Sequence, residues 1–264
     1  MTELPSSPDV CISQNIYISG IDECSGKSVL VLAMMEMLSG HAGTVSIFRP
    51  VIHNSSDRDG LIQLISDRYP VAQPYEALYG CGEDQARQLL AEEQYEELLK
   101  IILGKYRHLQ AQCDHVLCVG SDNHYGDLLF EFDFNIDVAN NLGCLMMPVM
   151  HAGDRENGEI LDNLANLKHK LHEHGSSLLA TVINSVPLSQ LDSLRKGVSQ
   201  NPEFPVYVIP VEPSLEKPSM GNIAQALGAK IFSATGNSLN REVIQYKVAA
   251  MLVPDFLEYV QAGD

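Results

Sequence analysis

The chain has 264 residues, 45% hydrophobic and 19% charged, the balance of an ordinary globular protein long enough for one large α/β domain or a domain with a small appendage. Its formal net charge of −17 argues against a general nucleic-acid or anionic-membrane surface, although not against a small anion held by a local backbone device. No run of about 18 apolar residues predicts a membrane-spanning helix, and six cysteines, at 11, 24, 81, 113, 118 and 144, lack paired ligand spacing and read as reduced thiols of a cytoplasmic protein.

Residues 1–14 have neither a basic start nor an apolar run and read as a flexible leader rather than a secretory signal. A β-branched strand near 15–20 then breaks at Gly20, and Gly26-Lys27-Ser28 opens an amphipathic helix near 27–39. Strand, glycine-bounded loop and helix in this order predict a phosphate-binding loop made of Gly20, Asp22, Glu23, Cys24, Ser25, Gly26, Lys27 and Ser28. The residue types follow from the chemistry. A polyphosphate needs inward-turned backbone N–H groups, which glycines permit, and a helix N-terminus whose partial positive charge faces the anion. Lys27 would reach the β- and γ-phosphates, and Ser28 would ligate Mg²⁺. Five residues separate Gly20 from Gly26, one more than the commonest spacing of such loops. Cys24 reads as a small filler within it.

Further strands near 44–49, 115–120, 144–150, 178–184 and 205–209 alternate with helices near 58–68, 84–105, 134–142, 156–174 and 188–199. That alternation predicts an α/β fold with a mostly parallel sheet flanked by helices, and ligands beyond the carboxyl ends of its strands. The 84–105 stretch, with Glu on one side and Leu or Ile on the other, reads as a solvated amphipathic helix. Glu131 and Asp133, alternating with Phe130, Phe132 and Phe134, read as a segment that packs its rings and wets its acids rather than as a catalytic pair. His169, His172 and His174 read as a surface helix end. From about 211 the pattern changes to prolines and polar residues, then a helix from Met220 to Leu227, a short strand from Lys230 to Phe232 and a final amphipathic helix near 240–261. Ending directly after that helix, at Gly263-Asp264, the chain reads as cut from something longer.

The loop Gly20-Ile21-Asp22-Glu23-Cys24-Ser25-Gly26-Lys27-Ser28 resembles that of the dethiobiotin synthetases, including the longer spacing and the Asp after the first Gly. Phe48-Arg49-Pro50-Val51 resembles that family's Lys-Pro-Val, with Arg49 in place of its lysine; Asp57-Arg58-Asp59 lies where the family has a metal-binding aspartate, and Val182-Ile183-Asn184 resembles its strand-end asparagine that meets adenine. A closer likeness is to the N-terminal region of long-form phosphate acetyltransferases, carried by Phe130 to Gly143, by Gly120-Ser121-Asp122 and by Lys217 to Ala229, which resembles the entry to a DRTGG domain. Two departures stand out. Val119 precedes Gly120 where synthetases have a metal-binding glutamate, which Asp122 could replace, and Arg49 stays charged where a lysine could carry carboxylate chemistry.

The resemblance implies a P-loop dethiobiotin-synthetase-like domain over 15–212, followed over 213–264 by a linker and the start of a DRTGG-like segment. It implies ATP or ADP as ligand, with Arg49 and Asn184 joining the loop as nucleotide contacts and Ser28, Asp59 and Asp122 as Mg²⁺ ligands. The expected function is a nucleotide-binding regulatory or assembly domain of a phosphate acetyltransferase. The expected partners are a downstream acetyltransferase domain absent from this chain and further copies in a homo-oligomer. The alternatives are a dethiobiotin-synthetase-like ligase and a scaffold that kept the fold and lost the ligand.

Overall fold

The computed structural model describes residues 15–22, 25–40, 43–53, 58–121, 128–198, 204–212 and 218–243. Seven strands, β1 (Ile16–Gly20), β2 (Val45–Ile52), β3 (Tyr79–Gly82), β4 (His115–Val119), β5 (Leu145–His151), β6 (Thr181–Val186) and β7 (Val206–Pro210), form one sheet in the order β3-β2-β4-β1-β5-β6-β7. Every adjacent pair is parallel. The connecting helices are α1 (Lys27–Ser39), α2 (Gly60–Arg68), α3 (Glu83–Ala91), α4 (Tyr95–Gln110), α5 (Leu128–Leu142), α6 (Asn157–Glu173) and α7 (Leu188–Val198). The central strands are buried, with Tyr17, Ile18 and Leu117 to Val119 all at 0% exposure, as a parallel sheet covered on both faces requires.

β1 sits between β4 and β5, with Ile16 level with Leu117 on one side and Leu145 on the other. The chain leaves β1 toward β2 but leaves β4 toward β5, so right-handed crossovers send the following helices to opposite faces. The strand ends part there and open a crevice beside the β1–α1 loop.

Before residue 211 three elements differ from the sequence reading, each for a local reason. The predicted helix 84–105 is two helices, because Glu93 takes a left-handed φ of 57° and stops α3. Gln94 N–H donates to Leu89 O (2.8 Å) and Glu93 N–H to Leu90 O (3.1 Å), a helix stop usually marked by Gly but here made by Glu. β3 was not foreseen, since Tyr79-Gly80-Cys81-Gly82 lacks a β-branched run. α5 begins at Leu128, six residues before the predicted 134, so the alternation of Phe132, Asp133 and Phe134 is helical. Phe132 and Phe134 are both buried because α5 is wedged between neighbours: Lys170 of α6 lies over the Phe132 ring, and Tyr95 of α4 packs edge-on to Phe134. Asp133 pairs with Lys170 (2.6 Å).

Residues 211–264 form a second compact unit. In it α8 (Met220–Ala226) starts at a reciprocal Ser219–Asn222 cap. The predicted strand at 230–232 is not formed, and Phe232 is exposed. At the start of the predicted 240–261 helix, the backbone bonds across to Pro218 and Met220 instead of along a helix: Val243 N–H donates to Pro218 O, and Arg241 O accepts from Met220 N–H. Residues 244–264 lie outside the described residues.

At the amino end of the sheet, buried Asn15 ties three strands. Its Oδ1 accepts from Val116 N–H (2.9 Å), its Nδ2 donates to Tyr106 Oη (2.6 Å), and its backbone O accepts from Leu145 N–H (2.8 Å). Asn15→Ala strands the Val116 amide in the core and leaves the Tyr106 hydroxyl to Cys144 Sγ at 3.5 Å, and is expected to lower unfolding free energy in urea by about 1–3 kcal/mol.

Candidate functional site

The crevice is built first by the β1–α1 loop. Gly20 ends β1, Ser25 is buried, and Gly26 adopts φ 77°, ψ 17° as the N-cap of α1. That left-handed conformation costs an L-residue about 1–2 kcal/mol, which glycine avoids. A glycine N-cap has no side chain to offer the first-turn amides, and α1 has no acid in its first turn. The helix start therefore presents N–H groups and partial positive charge to an outside acceptor. Glu23 and Cys24 lie outside the described residues.

Lys27, the first residue of α1, is 3% exposed, and its Nζ donates to Gly120 O (2.5 Å) and Ser121 O (3.2 Å) just beyond β4. Arg49 reaches the same carbonyl from β2, Nη2 to Gly120 O at 3.5 Å, while its Nη1 pairs with Asp59 (2.7 Å). Asp59, expected as a metal ligand, has Oδ2 facing Arg49, while its Oδ1 caps α2 by accepting from Leu61 and Ile62 N–H. Ser28 is exposed at the helix start. Val119 is fully buried at the end of β4, and Asp122 lies outside the described residues. Among the described residues no group of three or more His, Cys, Asp or Glu could hold a metal ion.

The other wall comes from β5 and β6. Asp22 makes a two-pronged pair with Arg155, Oδ1 to Nη2 at 2.8 Å and Oδ2 to Nη1 at 2.9 Å, and Oδ2 also accepts from His151 N–H (3.0 Å). The hydrogen bonds to Asp22 raise the Arg155 guanidinium further above its ordinary value. Asn184, in the second half of β6 and level with His151 of β5, donates from Nδ2 to Ser25 O (3.1 Å). The structure thus gathers Gly20, Asp22, Ser25, Gly26, Lys27, Ser28, Arg49, Asp59 and Asn184 around one rim of the sheet.

Sequence reasoning missed Arg155 and Asn135. Arg155 carries no motif and is brought to Asp22 only because β5 lies beside β1. Asn135, 1% exposed, sits against Gly120, where any Cβ would run into its Oδ1, and accepts from Tyr17 Oη at 2.6 Å. A buried Asn on an otherwise apolar helix face was the one available signal.

This fold and loop define a P-loop α/β domain. A family profile described as an AAA domain (AAA_26) matches residues 14–219, and the chain belongs to that family of P-loop, dethiobiotin synthetase-like domains. It is 35% identical over 260 residues to the phosphate acetyltransferase of Nitratidesulfovibrio vulgaris, covering 96% of this chain and 37% of that protein. To the phosphate acetyltransferase of a Synechocystis species it is 26% identical over 257 residues, covering 94% of this chain and 36% of that protein. The chain therefore spans little more than a third of the length of these relatives. A solved structure of an apo GTPase from Pyrococcus abyssi overlaps 71% of this chain and 73% of its own at 13% identity, with a TM-score of 0.41, a likeness too low to carry its ligand over. Among the described residues no helix is long and apolar enough to cross a membrane.

The Arg49–Asp59 pair, with side chains 9% and 6% exposed, predicts a structural cost for its loss. Asp59→Ala removes both the cap of α2 and the partner of a buried guanidinium, and is expected to destabilise by about 3–5 kcal/mol in urea unfolding without nucleotide. Asp59→Asn keeps an acceptor for the cap and loses less.

Proposed function

We propose that residues 15–212 are a nucleotide-binding domain that regulates or helps assemble a phosphate acetyltransferase. The transfer of acetyl between coenzyme A and phosphate then belongs to a catalytic domain outside this chain. Residues 213–264 would be the linker and the start of a DRTGG-like segment, working in a cytoplasmic homo-oligomer. The observation that carries the reading is the loop: left-handed Gly26, the start of α1 with no side-chain cap and the buried Lys27 ammonium converge at one strand end. The likeness to phosphate acetyltransferases over nearly the whole chain supports that choice of parent enzyme.

That donor set fits the phosphates of ATP or ADP, since amides, an ammonium and a helix N-terminus all favour a multiply charged anion. The Ser28 hydroxyl, exposed at the start of α1, would hold Mg²⁺ together with the nucleotide's phosphate oxygens, and the ion would neutralise phosphate charge. Asp59 is already engaged by Arg49 and by two α2 amides. A synthetase-like ligase has less support, because position 119 offers a buried valine rather than a carboxylate and position 49 a guanidinium rather than an amine.

ATP or ADP is expected to raise the thermal midpoint of the wild-type chain, by the linkage that any native-state ligand obeys. Lys27→Ala should weaken ATP by at least about tenfold in calorimetric titration. The absence of any nucleotide response in wild type would sink the proposal. Chelating Mg²⁺ with EDTA is expected to weaken ATP by less than about tenfold, because a charge-assisted, backbone-built site does not need the metal to capture the anion.

A further inference from the structure

The likeness to synthetases assigns Asn184 to the adenine ring, yet its side chain is turned onto the phosphate loop. Nδ2 donates to Ser25 O at 3.1 Å, and Ser25 is 3% exposed. The same nitrogen fills the space into which a Cβ at Gly26 would project. The Asn184 amide therefore packs against the left-handed turn from which α1 starts.

The chain around Asn184 is shaped to hold that position. β6 loses its regular register with β7 between Ile183 and Val186, and Ser185 takes a φ of 56°, unusual for a residue that is not glycine. Strained backbone of this kind persists where the surrounding structure enforces it, and irregularities in a strand re-aim side chains. Asn184 O accepts from Ala152 N–H (2.8 Å), so the donor is anchored to the corner that follows β5. The other end of the loop is fastened to the same corner, through Asp22 with Arg155 and His151 N–H. Both ends of the loop are thus tied to the β5–β6 side of the crevice.

We propose that Asn184 is a positioning residue for the phosphate loop: it fixes Ser25 and Gly26 so that the first amides of α1 face the anion, and it governs phosphate binding whatever base is attached. This rests on the nucleotide reading above and deepens it.

The test separates the two halves of a nucleotide. Calorimetric titration of the whole chain would compare ATP, inorganic tripolyphosphate and adenosine, and hydrogen exchange without ligand would follow the amides from Ser25 to Val29. Asn184→Ala is expected to weaken tripolyphosphate and ATP by the same factor, about threefold to tenfold for one lost hydrogen bond, and to speed exchange at those amides. Ser185→Gly, which accepts the left-handed conformation without strain, should leave both readouts as in wild type. Ser185→Val, which strains the turn and leaves the amide in place, supplies the same comparison should Asn184→Ala not fold, and is expected to shift both readouts as Asn184→Ala would. A loss confined to ATP with tripolyphosphate unchanged would make Asn184 a base reader and overturn the inference. So would unaltered loop exchange in a variant whose wild type binds nucleotide. A wild type that binds neither ATP nor tripolyphosphate would bring down the nucleotide reading itself, and the inference with it.

Discussion

An ammonium group taken out of water must be surrounded by oxygen, since an uncompensated buried charge costs several kcal/mol even after relaxation. Lys27 meets that demand at the end of a neighbouring strand, on the carbonyls of Gly120 and Ser121. The arrangement depends on sheet order: only because β4 lies beside β1 does the chain leaving β4 pass within reach of the first residue of α1. Support for those carbonyls runs back into the core. Gly120 N–H donates to Ile18 O, the absence of a side chain at Gly120 lets Asn135 come close, and Asn135 is in turn bonded to Tyr17 in the middle of β1. A path of close contacts thus links a fully buried strand residue to the phosphate loop, and packing of the central strands sets the geometry at the rim.

What could be read from the sequence is what lies close together along the chain. Ile16 to Ser28 spell strand, loop and helix within one stretch, and the alternation of apolar runs with longer helical patterns gave the parallel sheet. The partners that finish the site come from far along the chain: Gly120 is 93 residues from Lys27, and Arg155 is 133 residues from Asp22. Their adjacency is a property of strand order, which periodicity does not encode. The local misreadings have the same character. Glu93 ends a helix where propensity favours glycine, because the bonds to Leu89 and Leu90 outweigh the conformational cost. Gly80 and Gly82 hide β3 from a search for β-branched residues, while the close approach of the Pro50 carbonyl explains why Gly80 has no side chain.

The two departures from the synthetase pattern are built into the packing. Arg49 bridges two elements at once, its separate nitrogens meeting Asp59 at the start of α2 and Gly120 beyond β4, which the single nitrogen of a lysine could not do in the same geometry. Val119 is enclosed on a strand that is apolar from Val116 onward. A carboxylate there would be desolvated, and its cost would have to be met by a metal or a cation directly against it. Arg49 thus ties the start of α2 to the chain leaving β4, and Val119 keeps the end of β4 apolar.

For a bound nucleotide to influence another domain, it must bind two states of this one with unequal affinity. The contacts of Lys27 locate where such a difference can arise. In the state described here the ammonium serves Gly120 and Ser121. A polyphosphate drawing it away would leave the Gly120 carbonyl with the guanidinium of Arg49, which already reaches it at the longer distance of 3.5 Å. Under the proposed function, ligand occupancy and the hold on the chain leaving β4 would compete for the same cation. The opposite side of the loop, fixed by Asp22 and Asn184 to β5 and β6, takes no part in that exchange. If nucleotide regulates another domain as proposed, the difference between the two states would arise on the β4 side of the crevice, against the β5–β6 side that holds Asp22 and Asn184.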